Sequence, residues 1–148
     1  MNPLSVTGIL LGLVALATAL GLLWRSQTGR VREIASGETI IDVSELVPDA
    51  VAGSGATLLQ FSTEVCAPCR ATHTLLDALA KHSSGVNHVD VDITNRADIA
   101  NRFTLLQSPT TFILDASGVV RARIGGAPRP MELSAQLERI LRLPAAVA

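Results

Sequence analysis

At 148 residues the chain has room for one ordinary domain, and its 48% hydrophobic against 17% charged content is skewed by one apolar block at the start. The formal net charge is -1 and no basic cluster follows residue 32, so the electrostatic footprint of a nucleic-acid binder is missing and nucleic acid is not an expected partner. Both cysteines lie in one motif, which excludes a structural disulfide that does not consume it.

Leu4 to Trp24 reads LSVTGILLGLVALATALGLLW, without a charge. Roughly 20 apolar residues span a hydrocarbon core, so residues 1–24 are read as an N-terminal transmembrane anchor, with membrane contact through residues 4–24. Trp24 sits at the water interface, followed by Arg25. The competing reading is a cleaved signal peptide, with Ala17-Thr18-Ala19 as its small-residue site. Against it, no Lys or Arg precedes the apolar run, which continues through Leu20, Leu22 and Leu23. Arg25, Arg30 and Arg32 on the C-terminal flank place the following domain in the cytoplasm by the positive-inside rule, the outer face being the alternative.

Residues 25–37 are polar and aperiodic, a linker; residues 38–144 are read as the domain, beginning near Glu38, and 145–148 as a tail. Thr39 to Val43 is a β-branched run, a first strand, and Ser44-Glu45-Leu46-Val47 a brief helix ended by Pro48. The nearly continuous apolar run Thr57 to Ser62 predicts a strand covered on both faces. After the cysteine pair, Leu75, Leu76, Leu79 and Ala80 recur at helical spacing over Arg70 to Lys81.

Val86 to Val91 alternates as a strand, and Ala97 to Phe103 reads as a short helix. Thr110–Leu114 and Val119–Ile124 flank Asp115-Ala116-Ser117-Gly118, which is hairpin turn chemistry. The last helix has Pro130 near its start, Leu133, Leu137, Ile140 and Leu141 on one face, and Pro144 beyond its end. The predicted class is α/β: a central mixed sheet flanked by helices, preceded by one transmembrane helix.

Cys66-Ala67-Pro68-Cys69 opens a helix that follows a buried strand. A helix N-terminus offers unpaired N–H groups and partial positive charge, which stabilise a thiolate and lower the pKa of the first cysteine from about 8.5. Cys66 is therefore the expected nucleophile, and Cys69, one turn on and directed inward, the resolving partner. Pro68 suits a first-turn position because its missing N–H forfeits no bond there. Half a zinc site is the bland alternative, but only His73, His82 and His88 are on offer and there is no second cysteine pair. No metal or other cofactor is expected.

Phe61 to Arg70, FSTEVCAPCR, resembles the active-site segment of the thioredoxin superfamily, commonly F-x-A-x-W-C-G-P-C-K. Ser108-Pro109-Thr110 precedes the hairpin where thioredoxin-like proteins carry a cis-proline facing the CxxC. The resemblance implies the thioredoxin fold over about the last hundred residues, a cis Pro109, and substrate contact through Ser108, Pro109, Ala67 and Pro68. An ordinary proline at a strand start is the alternative at Pro109.

Three departures stand out. The dipeptide is Ala67-Pro68 rather than Gly-Pro, the aromatic before the first cysteine is Val65, and Gln60 occupies the position of a buried aspartate that assists the second cysteine. His73, four residues after Cys69 on the same helix face, is the candidate auxiliary acid/base; a histidine on the shoulder of an apolar stripe is the alternative. His88 falls where thioredoxins often place a lysine near that aspartate, so a Gln60–His88 polar pair and a solvated strand residue are equal readings; His82, at the carbonyl end of its helix dipole, is assigned no chemistry.

The leading functional reading is a membrane-anchored thiol-disulfide oxidoreductase, a reductase by preference, with a protein disulfide substrate and an upstream electron donor as partners. The alternatives are a reductant in sulfur metabolism, acting on a persulfide or sulfurtransferase, and a non-enzymatic CxxC metal-binding module. The second is weakened by the presence of only Met1 and Met131 as soft auxiliary ligands.

Overall fold

The computed structural model describes residues 2–34 and 39–142. The proposed domain start at Glu38, Pro144 and the 145–148 tail lie outside the described residues. α1 (Pro3–Gln27) has Pro3 in its first turn, ends with Arg25 in its last, and leaves its apolar side chains from Ile9 to Trp24 exposed. Its 25 residues rise about 37 Å, long and apolar enough to cross a bilayer.

β1 (Val31–Glu33), β2 (Ala56–Ser62), β3 (Val86–Asp92), β4 (Thr110–Asp115) and β5 (Val120–Gly125) form one mixed sheet in the order β1-β5-β4-β2-β3. Only β2 and β3 run parallel; the other neighbours are antiparallel. A parallel pair needs a crossover, and α3 (Ala67–His82) supplies it. α2 (Val43–Leu46) and α4 (Ala97–Arg102) lie along the chain between strands, and α5 (Pro130–Leu141) closes the order.

Strand alternation sorts the core into two layers. Leu59 and Phe61 of β2 pack with Val89, Val91, Phe103 and Phe112 on one face of the sheet. Ala56 and Leu58 pack with Leu76 of α3 and with Leu133, Leu137 and Ile140 of α5 on the other. β2, buried along its whole length, is the central strand that its continuous apolar sequence predicts. The β4–β5 hairpin turns on Gly118 at φ 77°, and Asp115 Oδ1 accepts from the Ser117 and Val119 amides.

The edge opposite β3 departs from the sequence reading. The first strand is Val31–Glu33, inside the stretch read as a linker, whereas Thr39–Val43 contributes only the bridge from Ile40 to Val119. β1 already occupies the Ala122–Ile124 part of β5, so only the far end of β5 is left for the later segment. There the Val120 amide donates to Thr39 and the Ile41 amide to Gly118. The brief helix begins at Val43 rather than Ser44, because Asp42 is the residue that caps it, accepting from the Ser44 amide at 2.9 Å.

Residues 25–37 are likewise not a free tether where they are described. The Gly29 amide donates to Gly125 at 2.8 Å, Arg129 Nη2 donates to the Ser26 carbonyl at 2.8 Å, and Glu33 forms an ion pair with Arg139. α1 therefore runs into the sheet edge through a pinned turn.

Candidate active site

β2 ends at Ser62 and α3 begins at Ala67, so the intervening loop delivers the cysteines to one end of the sheet. That loop is tied to its neighbour after β3. Ile93 donates its amide to the Ser62 carbonyl, and the Glu64 amide donates to Thr94 Oγ1, both at 2.9 Å. Thr94 is itself held by Asp92 Oδ1, which accepts from its amide and its hydroxyl.

Cys66 is the N-cap of α3 and is joined to Cys69 by a disulfide, with Cα atoms 5.2 Å apart. Cys66 Sγ also accepts a hydrogen bond from the Cys69 amide at 3.2 Å, so it already faces the unpaired donors of the helix start. The two sulfurs differ in access: Cys66 is half-exposed and Cys69 is 3% exposed. Pro68 occupies the first turn, and α3 starts three residues earlier than the leucine spacing alone marks, because Pro68 and the cap recruit the motif itself into the helix. Ala67 and Pro68 are both exposed beside Cys66.

The Ser108-Pro109 peptide is cis. Phe61 pairs with Thr110 in the antiparallel β2–β4 register, so Pro109 lies across from the end of β2, on the same rim as the CxxC. The Pro109 carbonyl accepts from the Gly126 amide at 2.7 Å. Among the described residues, the Ser108 amide and carbonyl take no backbone partner. Val65, 98% exposed, and Leu106, 87% exposed, put apolar surface on the two loops of this rim.

Behind the disulfide an open cleft of about 390 Å³ separates α3 from β2 and β3, lined by Gln60, Ser62, Cys69, Arg70, His73 and Asp90 among others. Gln60, wholly buried, donates from Nε2 to the Cys69 carbonyl at 3.0 Å, while its Oε1 has no protein partner. Ser62 Oγ donates to Asp90 Oδ1 at 2.7 Å.

Of the two readings of His88, the Gln60–His88 pair does not form. In the β2–β3 register His88 lies beside Leu58, and Asp90 is the partner of Gln60. His88 instead meets His73 edge to face, ring centres 4.7 Å apart. Burial pushes the His88 pKa below its ordinary 6.5 and the neighbouring His73 charge lowers it further, against the pull of Asp90 and Asp77. His82 Nδ1 donates to the Ala78 carbonyl at 2.7 Å, the helix-end role expected of it. Asp90 was not singled out from the sequence, although the alternation of VNHVDVD already places it on the face of Val86 and His88. Among the described residues no three His, Cys, Asp or Glu side chains are grouped to hold a metal ion.

Residues 43–139 match the thioredoxin family profile, a segment that takes in the cysteines, Pro109 and every strand except β1. The chain belongs to the thioredoxin family. Curated relatives include thioredoxin C-2 of Corynebacterium nephridii, 30% identical over 55% of this chain and 76% of that protein. Thioredoxin Asp f 28 of Aspergillus fumigatus is 26% identical over 65% and 90%. Among solved structures, thioredoxin-2 of a malaria parasite superposes with a TM-score of 0.52 at 21% identity, covering 61% of this chain and 97% of that one. Mitochondrial thioredoxin 3 from Saccharomyces cerevisiae gives 0.51 at 23%, covering 58% and 79%. At such identities the structural likeness carries the thioredoxin fold; family membership and the CxxC disulfide identify a thiol-disulfide oxidoreductase.

Proposed function

We propose that this thioredoxin-family protein is a membrane-anchored reductase of protein disulfides, working through the Cys66–Cys69 couple with its domain in the cytoplasm. The observation that carries the chemistry is the unequal pair: a half-exposed sulfur capping a helix, and a buried one a turn behind it. The Cys66 thiolate attacks one sulfur of the substrate disulfide and the other sulfur leaves as a thiolate. Cys69 then gives up its proton, attacks Cys66 Sγ in the mixed disulfide, and expels the second substrate thiolate. Two electrons pass to the substrate, and a dithiol donor must return them to Cys66–Cys69.

Deprotonation of Cys69 falls to the cleft behind it. Gln60 cannot accept that proton, and the side chains lining the cleft that can are Asp90 and His73. Ser108 supports substrate contact, since its free amide and carbonyl can pair with an extended peptide as an added strand, while Ala67, Pro68 and Val65 offer apolar contact beside the reacting sulfur. Anchoring is supported by α1, and the cytoplasmic side by Arg25, Arg30 and Arg32.

The test is the equilibrium reduction potential of the full chain in detergent, equilibrated with glutathione or dithiothreitol buffers. A value near about -270 mV supports a reductase, and one near about -120 mV marks an oxidant and overturns the direction. A phosphatase reporter fused after Ala148 that is active outside the cell overturns the cytoplasmic placement.

A further inference from the structure

Arg32 and Arg123 are directly opposed across the β1–β5 ladder, two like charges in register on one face of the sheet. Facing guanidinium groups destabilise a strand pair unless something neutralises them. Here no carboxylate does: neither residue has an ion-pair partner among the described residues. Glu33, the acidic neighbour in β1, points to the opposite face and pairs with Arg139. Arg123 is fixed by donating to the Phe103 and Thr104 carbonyls, so it cannot swing away.

These two arginines, with Arg30, line an open cleft of about 400 Å³ whose remaining walls include Gln27, Gln107 and Thr104. The lining contains no acidic side chain, and the glutamine amides add neutral donors. Gln27 is the last residue of α1, three residues beyond the exposed Trp24, or about 4.5 Å along the helix axis. If α1 spans the bilayer, Trp24 marks the interface and the cleft opens at the depth of the lipid phosphates.

We propose that this cleft binds the phosphate of an anionic phospholipid headgroup, held by Arg30 and Arg32 against the fixed charge of Arg123. The inference rests on the reading of α1 as a membrane span. Guanidinium forks match phosphate geometry, and the lipid supplies the charge that the Arg32–Arg123 pairing lacks. The site lies beside Gln107 and Thr110, which flank Ser108-Pro109, so a bound headgroup would sit next to the substrate rim.

The chain's single tryptophan, Trp24, is the reporter. The full chain is reconstituted in phosphatidylcholine vesicles carrying either brominated phosphatidylglycerol or brominated phosphatidylcholine, and quenching of Trp24 gives the relative affinity of the two lipids. We expect phosphatidylglycerol to be favoured roughly tenfold, since each arginine near a membrane surface contributes appreciably. R32A should lose most of that preference, and R25A, which removes a charge outside the cleft, much less. Equal losses in R32A and R25A would reduce the effect to surface charge and overturn the site, as would no preference in the wild type. Inorganic phosphate at matched ionic strength that abolishes the preference would make the ligand a soluble anion and overturn the lipid assignment. Absence of quenching by either brominated lipid would instead overturn the membrane reading on which the proposal stands.

Discussion

Gln60 Nε2 donates to the Cys69 carbonyl across 3.0 Å, which ties the central strand to the buried cysteine through a side chain with no accessible surface. The same amide leaves Oε1 without a protein partner. A hydrogen bond contributes about 1 kcal/mol net, while an orphaned buried acceptor costs about 1–3 kcal/mol, so relief of the second matches or exceeds loss of the first. Q60L is therefore expected to leave the unfolding free energy in urea unchanged or to raise it by up to about 2 kcal/mol. A clear loss of stability would mean that Oε1 is satisfied by an ordered water in the cleft.

The contrast in access between the cysteines makes their single variants unequal. C69S retains the attacking sulfur but cannot resolve, and should accumulate a mixed disulfide with an oxidised protein substrate, visible as a thiol-sensitive adduct on a gel. C66S should give no adduct and no insulin reduction, because its remaining sulfur is 3% exposed. Adducts formed equally by both variants would contradict the assigned order of attack.

Asp90 and His73 are the two proton acceptors proposed for Cys69. Both are exposed and both line the cleft, but the His73 ring packs on His88, whereas Asp90 accepts a hydrogen bond from the Ser62 hydroxyl beside Gln60. D90N is accordingly expected to slow resolution of a preformed mixed disulfide by about 10²-fold at pH 7, within the usual range for a lost general base. H73Q should slow it less than about threefold. The reverse pattern would return the role to His73.

His88 sets a pH dependence of stability with a definite sign. Its folded pKa lies below the unfolded value of 6.5, so near and below pH 6.5 the unfolded chain binds more protons than the folded one. Stability is full above that value and declines as pH falls through it towards the lower folded pKa. The depressed carboxylates Asp42, Asp77 and Asp92 act in a separate window, below about pH 4. H88Q should flatten the decline between pH 7 and 5 in denaturant titrations without changing the loss below pH 4; an unchanged slope between pH 7 and 5 would exclude His88 as its source.

What the sequence made legible follows from which residues carry strong patterns. The continuous apolar run of β2, the CxxC with Pro68, and the Asp115–Gly118 turn each encode local geometry, and the fold follows from their order. β1 was hidden because an edge strand of three residues, two of them charged, has no hydrophobic alternation to read. Thr39–Val43 misled for the opposite reason, being β-branched but displaced from most of β5 by β1. Asp90 escaped because register across parallel strands is set by tertiary packing, and a shift of two residues exchanges His88 for Asp90 beside Gln60 without altering which face is buried.

The junction between α1 and the sheet makes the sharpest case of structure overruling composition. Residues 26–30, SQTGR, have the polarity of a flexible linker, yet Gly29 adopts φ 76° and its amide bonds to Gly125. A Cβ at this position would collide with the Ala127 carbonyl, so only glycine permits the close approach. G29A must distort the turn or release it, at a cost of about 1 kcal/mol or more from the left-handed backbone alone. The wild-type chain in detergent should then resist trypsin at Arg30, whose neighbour Gly29 is pinned, and G29A should be nicked there at least several-fold faster while keeping its insulin-reducing activity. Equal cleavage rates would mean that the turn opens freely in solution, leaving α1 and the domain coupled only by a tether.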